Sequence, residues 1–574
     1  MNKIRLPYGL SNFKTLVSDG YYFVDKTNYI EKIENLNERY IFFLRPRRFG
    51  KSLFVSMLSH YYGLEYEAQF TKLFGKYYIG KNLTPERNQH YILSFDFSRI
   101  STETVQSSLQ GFLTNVRSGI QIFCSQYELF DKDRVKEITS TSSTVEMLVE
   151  FFTAFLGAKK ENSIYLLIDE YDHFANELIA FNFDEFSHIV SKNGFVRKFY
   201  EAIKKATFDG IVGRFFATGV TPITLDSLTS GFNIASNITL EKSFNEMIGF
   251  TEQEVRDLID KICQNCPDCN KDQIINDMRG WYNGYLFNKD AKERIYNPDM
   301  VLFFANSLLK NENCSYPENM LDTNIASDYG KVKNLIHVKN RRQNINIIHE
   351  LVEKGELYSQ ITRQYSFEKA FDTKDFVSLL FYLGMITIKE DIFGMLTFTF
   401  PNYVVKGLYL QNFLKILEAE NNIQIDTGQL YKAVTELALH ANIRPYLNLI
   451  EQVLKGLSNR DYIQFGEKHV KILFIGYALL TNLYFIKSEY EVETGYPDIM
   501  FLYRNPFKPP YQFIFELKYL KKGDKEEVEA TKKEALKQMR NYLATSEIKR
   551  LENLKAYVIV FVGEKAEVVE EIEH

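Results

Sequence analysis

YIFFLRPRRFGKSLFVSMLSHYYG, residues 40–63, reads as an apolar strand, a short loop and a segment whose apolar spacing suits a helix. At the junction stands Gly50-Lys51-Ser52. Backbone N–H groups at a helix N-terminus can cradle phosphate, the Lys51 ammonium can neutralise it, and the Ser52 hydroxyl can ligate Mg²⁺. A complete phosphate loop has a glycine five residues before the glycine of the Gly-Lys pair, where this chain has Arg45. Taken alone, the tripeptide would favour the plainer reading of an exposed helix start.

Outward from this unit, further strand candidates are YILSFDF at 91–97, SIYLLID at 163–169 and VGRFFATG at 212–219. Helical patterns at about 101–127, 143–157 and 195–207 separate them. Strands alternating with helices predict an α/β unit, a parallel sheet covered on both faces. SIYLLID ends on Asp169, followed by Glu170, the acidic pair that a phosphate-loop ATPase needs. Asp169 would hold Mg²⁺ through water and Glu170 would polarise the attacking water. YILSFDF is expected to lie between the two motif strands. The two motifs in this order predict binding of ATP with Mg²⁺ by Gly50, Lys51, Ser52 and Asp169.

A second constellation lies near the other end of the chain. Pro497-Asp498 opens the apolar strand IMFLY, and after the turn NPFKPP the strand YQFIFELKYL carries Glu516 and Lys518. Residues two apart on a strand share a face, and a hairpin can bring Asp498 beside them. Asp498, Glu516 and the Leu517 carbonyl would then supply oxygen ligands for Mg²⁺, with Mn²⁺ as a substitute. Lys518 can orient or deprotonate an attacking water and stabilise a developing phosphorane. This is the working arrangement of PD-(D/E)xK phosphodiesterases. Without the neighbouring strand and the Pro-Asp pair, Glu-x-Lys would only be a solvated strand face.

At 574 residues the chain exceeds one hydrophobic core. Three domains are expected: 1–240 around the phosphate loop, 241–422 as a helical lid and winged-helix-like region, and 423–574 around the second constellation. Thr251 followed by Glu254 reads as a capping box opening the middle region, AENNIQIDTGQ at 419–429 as a linker, and the final EKAEVVEEIEH as a frayed end. A formal net charge of −5 excludes a broad nucleic-acid-coating field, so any such contact must be local. The charged helix KKGDKEEVEATKKEALKQMRNYL is one candidate for it. No apolar run nears the roughly 18 residues that span a bilayer, and MNKIRLPYGLSNF lacks a signal-peptide apolar region, so a cytoplasmic protein without membrane contact is expected. Five cysteines predict no disulfide framework. Cys263-x-x-Cys266-x-x-Cys269 could hold zinc if Cys314 or a histidine came near, and otherwise reads as surface or helix-end thiols.

YYFVDKT at 21–27, RPRRFGKSL at 45–53, LLIDEYD at 166–172, FATGVTPI at 216–223, GFTEQEV at 249–255, GWYNGYLF at 280–287, YNPDMVL at 296–302 and FPNYVV at 400–405 recur in one pattern. In them the chain resembles the prokaryotic AAA-ATPase-like proteins whose C-terminal part is assigned to the PD-(D/E)xK nuclease superfamily. The resemblance implies a restriction-endonuclease-like α/β fold for the C-terminal domain, and RPRRFGKS as the family's own form of the loop. Arg47 and Arg48 could then add charge beside the phosphates, or be solvated. Thr218-Gly219 looks like a sensor position near the γ-phosphate, or a core strand end. Glu467 matches the family's first acidic position, and Gln538 with Tyr542, one helical turn apart, matches a pair near the phosphate. Plain helix-surface residues are the alternative for Glu467 and Gln538. Two functions follow as expectations. One is an ATP-regulated nuclease acting on DNA or RNA, with self-association through the ATPase domain as an option. The other is a nucleotide-dependent switch whose nuclease fold binds nucleic acid or a partner without cutting.

Overall fold

The computed structural model describes residues 4–173, 194–222, 232–264, 266, 269–310, 314–322, 325–327, 341–363, 365, 371–421, 423–457, 466–488, 492–493 and 495–573. Residue 223 of FATGVTPI, residue 422 of the linker candidate and residue 574 of the acidic tail lie outside them. So do 265, 267 and 268 between the clustered cysteines, 458–465 ahead of Gly466, and 489–491 and 494 before Asp498. Two compact units result: residues 1–314, 322–347 and 356–403 form the first, and 315–321, 348–355 and 404–574 the second.

In the first unit β1 (Tyr40–Leu44), β2 (Tyr91–Asp96), β3 (Ile164–Asp169), β4 (Val212–Gly219) and β5 (Ser236–Asn237) form an all-parallel sheet in the order β2-β3-β4-β1-β5. The helices α1 (Lys51–Tyr62), α2 (Val105–Tyr127), α3 (Thr144–Gly157) and α4 (Phe195–Phe208) bury apolar faces around it. The expected place of YILSFDF needs correction: β4, not β2, lies between the two motif strands. Burial explains the choice. β4 is buried along nearly its whole length, which suits the sheet centre. β2 leaves Ser94 and Asp96 exposed and takes the edge. The register aligns Leu44 with Gly219 and Asp96 with Asp169, so the carboxyl ends of the strands meet where the phosphate loop departs. Ligands of open parallel sheets bind at that end.

The predicted capping box forms at α5 (Glu252–Cys263): Glu254 N–H donates to Thr251 Oγ1, and Thr251 N–H donates back to Glu254 Oε2 at 2.8 Å. The helices α6 (Lys271–Tyr282) and α7 (Pro298–Lys310) follow. β6 (Glu356–Ser359), β7 (Thr387–Ile392) and β8 (Met395–Thr399) then make an antiparallel sheet in the order β6-β8-β7. The cysteines depart from expectation. Cys263 is bonded to Cys269, and Cys266 to Cys314, which returns to a Cα–Cα distance of 6.1 Å after 48 residues of chain. Cys124 is free and buried.

The second unit is a mixed sheet between two apolar layers. Helices α8 (Tyr403–Asn421), α9 (Thr427–His440), α10 (Arg444–Leu457) and α11 (Glu467–Thr481) cover one face. Leu410, Phe413 and Leu414 of α8 share a core with Leu473 and Phe474 of α11 and with Phe515 and Leu517 of the sheet. The strands β9 (Phe485–Ser488), β10 (Ile499–Leu502), β11 (Gln512–Leu520), β12 (Leu554–Val562) and β13 (Lys565–Ile572) run in the order β13-β12-β11-β10-β9. Only β11 and β12 pair in parallel. Helix α12 (Val528–Leu543) covers the other face, where Met539 and Tyr542 pack with Met500 and Ile514. The acidic tail is therefore not frayed. It forms β13, held on β12 by an antiparallel ladder with one register shift between Val560 and Phe561, with Glu571 paired to Lys555 and Glu570 to Lys532.

Candidate functional site

The phosphate loop is shaped by two left-handed residues, Arg48 at φ 65° and Gly50 at φ 97°. A side chain at position 50 would meet no neighbour but would be strained by that backbone angle. The turn sets Lys51 as the first residue of α1. Lys51 is only 5% exposed, and its Nζ lies 3.3 Å from Glu170 Oε1 while donating to the Pro46 carbonyl. Burial pushes Asp169 up to about 6, Glu170 adds to the shift, and the Ser52 hydroxyl bonded to Asp169 opposes it. Burial also raises Glu170, but Lys51, Arg47 and His173 outweigh it and hold the carboxyl below its ordinary range. Gly50, Lys51, Ser52, Asp169 and Glu170 thus converge. Beside them opens a cavity of about 260 Å³, lined on its apolar side by Tyr22, Phe23, Phe250 and Leu302. The arrangement can take a triphosphate at the α1 N-terminus and a flat base in the apolar slot.

Other expected residues are placed differently. Arg48 Nη1 pairs with Asp299 at 2.9 Å, while the Asn297 side chain reaches the Arg47 carbonyl, which gives YNPDMVL a physical task. The Thr218 hydroxyl donates to the Phe43 carbonyl at 2.8 Å, spanning β1 and β4. A sensor role would require it to leave that bond. Gly219 is needed for close approach, since a Cβ there would lie 2.1 Å from Asp172 Oδ1. Asp172 accepts from the Val220 and Thr221 N–H groups and so fixes the chain after β4.

Arg45, the departure from the glycine pattern, is buried and donates to the carbonyls of Leu44, Thr239 and Phe244. Its guanidinium packs on the rings of Phe43 and Phe287. It therefore anchors the loop base. Arg45→Met is expected to cost roughly 3 kcal/mol or more, because several buried carbonyls lose their donor together. The check is a lowered midpoint, in denaturant, of the unfolding transition that nucleotide raises.

In the second unit Ile499 pairs with Phe515, and this antiparallel register carries Asp498 opposite Glu516. Met500 and Ile514 face α12, so the period of two puts Asp498, Glu516 and Lys518 on that same face. Lys518 Nζ lies 2.8 Å from Glu516 Oε1, and the Leu517 N–H donates to Asp498 Oδ2 at 2.8 Å. Glu516 is 2% exposed, and its Oε2 has no hydrogen-bond partner among the described residues. The same holds for the buried Oε1 of Gln538 on α12. Burial raises Asp498, with Lys471 opposing. Burial and the Asp498 charge push Glu516 up to about 7. Burial alone would lower Lys518, but Glu516 and Asp498 outweigh it and keep the ammonium charged. Tyr542 is raised by burial and then by the charges of Glu516 and Asp498, which puts its hydroxyl within their electrostatic reach.

Lys471 is the side chain at this site that sequence reasoning misses. It pairs with both Asp498 and, at 2.8 Å, Glu467 one helical turn away. The i,i+4 spacing of Glu467 and Lys471 was the available signal. Glu467 therefore meets Lys471 rather than the other two carboxylates. Among the described residues no group of three or more His, Cys, Asp or Glu side chains stands ready to hold a metal. The donor set still fits a hard divalent cation: two desolvated carboxylates of raised pKa, one with an orphaned oxygen, lie beside an ammonium that now supplies the positive charge.

The first unit has the fold of a phosphate-loop nucleotide-binding domain and the second that of a nuclease-like domain. Comparison with known families agrees. Residues 7–229 match the model of the family described as "Predicted AAA-ATPase", and residues 465–571 that of the "PD-(D/E)XK nuclease superfamily". The chain is also 27% identical over 309 residues to the "Uncharacterized protein in vnfD 5'region" of Azotobacter chroococcum mcd 1, covering 53% of this chain and 52% of that protein. It thus spans about half the length of that curated relative. No described helix is long and apolar enough to cross a membrane.

Proposed function

We propose that the chain is an ATP-binding, divalent-metal-dependent phosphodiesterase acting on nucleic acid, with cleavage regulated by the nucleotide. The observation that carries this reading is the convergence of Asp498, Glu516 and Lys518 on one sheet face, with a buried carboxylate oxygen left unpartnered. Asp498 and Glu516, with the Leu517 carbonyl, would hold Mg²⁺ or Mn²⁺, which supplies an activated water and neutralises the scissile phosphate. Lys518, held as an ammonium, suits stabilisation of the phosphorane better than deprotonation of water. Gln538 and Tyr542 would touch the phosphate from α12. In the ATPase region Lys51 and Ser52 would hold the phosphates, Asp169 the Mg²⁺, and Glu170 the attacking water.

The test is a panel of plasmid, single-stranded DNA and RNA incubated with Mg²⁺ or Mn²⁺, with and without ATP. Metal-dependent nicking of one substrate that changes with ATP is expected. The competing reading, a nucleotide-dependent switch that binds nucleic acid without cutting, is favoured by Lys471, whose ammonium meets Asp498 as a cation would. Binding of the panel with no cleavage under either metal would select it.

A pH dependence separates the two readings further. Without metal, Glu516 keeps a proton up to about 7. The cation must displace that proton, so affinity is expected to rise about tenfold per pH unit below 7 and to level off above it. The metal-free fold should show the opposite trend. Between the ordinary carboxylate range and about 7 the folded state binds more protons than the unfolded, so this group's contribution to stability falls as pH rises. Calorimetric Mn²⁺ titrations across this range are the check, with a flat affinity speaking against Glu516 as a ligand.

A further inference from the structure

The turn after α5 gathers four of the five cysteines, and neither the nucleotide nor the nuclease reading uses them. The Cys266 N–H donates to the Cys263 carbonyl, and the Cys269 N–H to the Cys266 carbonyl, each at 3.1 Å. The three cysteines are therefore held together, with Cys263 and Cys269 at a Cα–Cα distance of 5.5 Å. Cys314 lies within 6.1 Å of Cys266, Cα to Cα. Cys314 takes a left-handed backbone angle, φ 48°, to do so, and Cys266 is 6% exposed. A fourth ligand beside the cluster is the condition that the spacing alone left open.

We propose that in the thiol form Cys263, Cys266, Cys269 and Cys314 make a structural zinc site that ties the α5–α6 turn to the chain after α7. A tetrahedral S₄ set with Zn–S near 2.3 Å places sulfurs roughly 3.8 Å apart, a span that cysteine pairs at these Cα separations can reach. Hydrogen-bonded Cys-x-x-Cys turns present both sulfurs to one side, which suits a soft divalent cation. Bonded to each other, the sulfurs are unavailable, so the disulfide and zinc forms exclude one another. Binding is balanced: four thiols give up four protons and one Zn²⁺ enters, with no change of oxidation state.

The test uses the full chain, purified without chelator, with free thiols trapped by iodoacetamide in a parallel sample. Elemental analysis should find about one zinc per chain, undiminished in Glu516→Ala and lost in the Cys266→Ser/Cys314→Ser double variant. Should that variant fail to fold, Co²⁺ exchange into the unmodified chain decides, because four thiolates give intense sulfur-to-cobalt charge-transfer absorption. Zinc-free chain with the four cysteines recovered as disulfides would overturn the proposal. So would zinc retained in the double variant, iron with inorganic sulfide in place of zinc, or Co²⁺ uptake without thiolate bands.

Discussion

Glu516→Gln is expected to reduce metal-dependent cleavage by roughly 10³-fold while leaving ATP affinity unchanged. The substitution keeps size and removes only the charge, so the packing between β11 and α12 should survive. What disappears is the anionic oxygen that has no partner now and would meet the cation. Lys518 loses the carboxylate that raises its pKa, so burial should make its ammonium easier to deprotonate. Two defects therefore compound, one in metal affinity and one in phosphorane stabilisation. Raising Mn²⁺ should restore little, because the second defect does not depend on metal occupancy. Cleavage within about threefold of the unmodified chain would remove Glu516 from the reaction.

Local periodicity made much of this site legible in advance. The period of two aligned Glu516 with Lys518, and an apolar strand opened by Pro497-Asp498 called for the hairpin that carries Asp498 across. Long-range pairing was hidden. Lys471 reaches Asp498 from a helix packed against the opposite sheet face, which no window of sequence reports. β13 was masked by its composition: KAEVVEEI alternates, but its glutamates find Lys532 and Lys555 only once β12 and α12 are in place.

The first unit divides in the same way. The Gly50-Lys51-Ser52 turn and the Asp169-Glu170 strand end were readable as local chemistry. The strand order depended on comparing burial over whole strands, where β4 is buried nearly throughout and β2 exposes two polar residues. Arg45 looked like a defect in the loop because a glycine pattern says nothing of the carbonyls that a side chain at that position could gather. Its partners Thr239 and Phe244 lie about 200 residues away.

Lys51→Ala and Glu170→Gln should act in opposite directions on nucleotide binding. Lys51 is buried against Glu170, so without nucleotide the two charges satisfy each other. A triphosphate entering at the α1 N-terminus must draw the ammonium away from that carboxylate. Removing the ammonium leaves Glu170 buried without its main opposing charge and facing the phosphates, so Lys51→Ala should weaken ATP binding by roughly 10²-fold or more. Glu170→Gln frees Lys51 and removes a like charge from the phosphates. ATP affinity should hold or tighten, while hydrolysis falls by roughly 10²-fold through loss of the group that polarises water. Equilibrium binding of a fluorescent ATP analogue, read beside phosphate release, separates the two. Equal loss of affinity in both variants would show that the Lys51–Glu170 pair supports the fold of the loop and does not compete with the nucleotide.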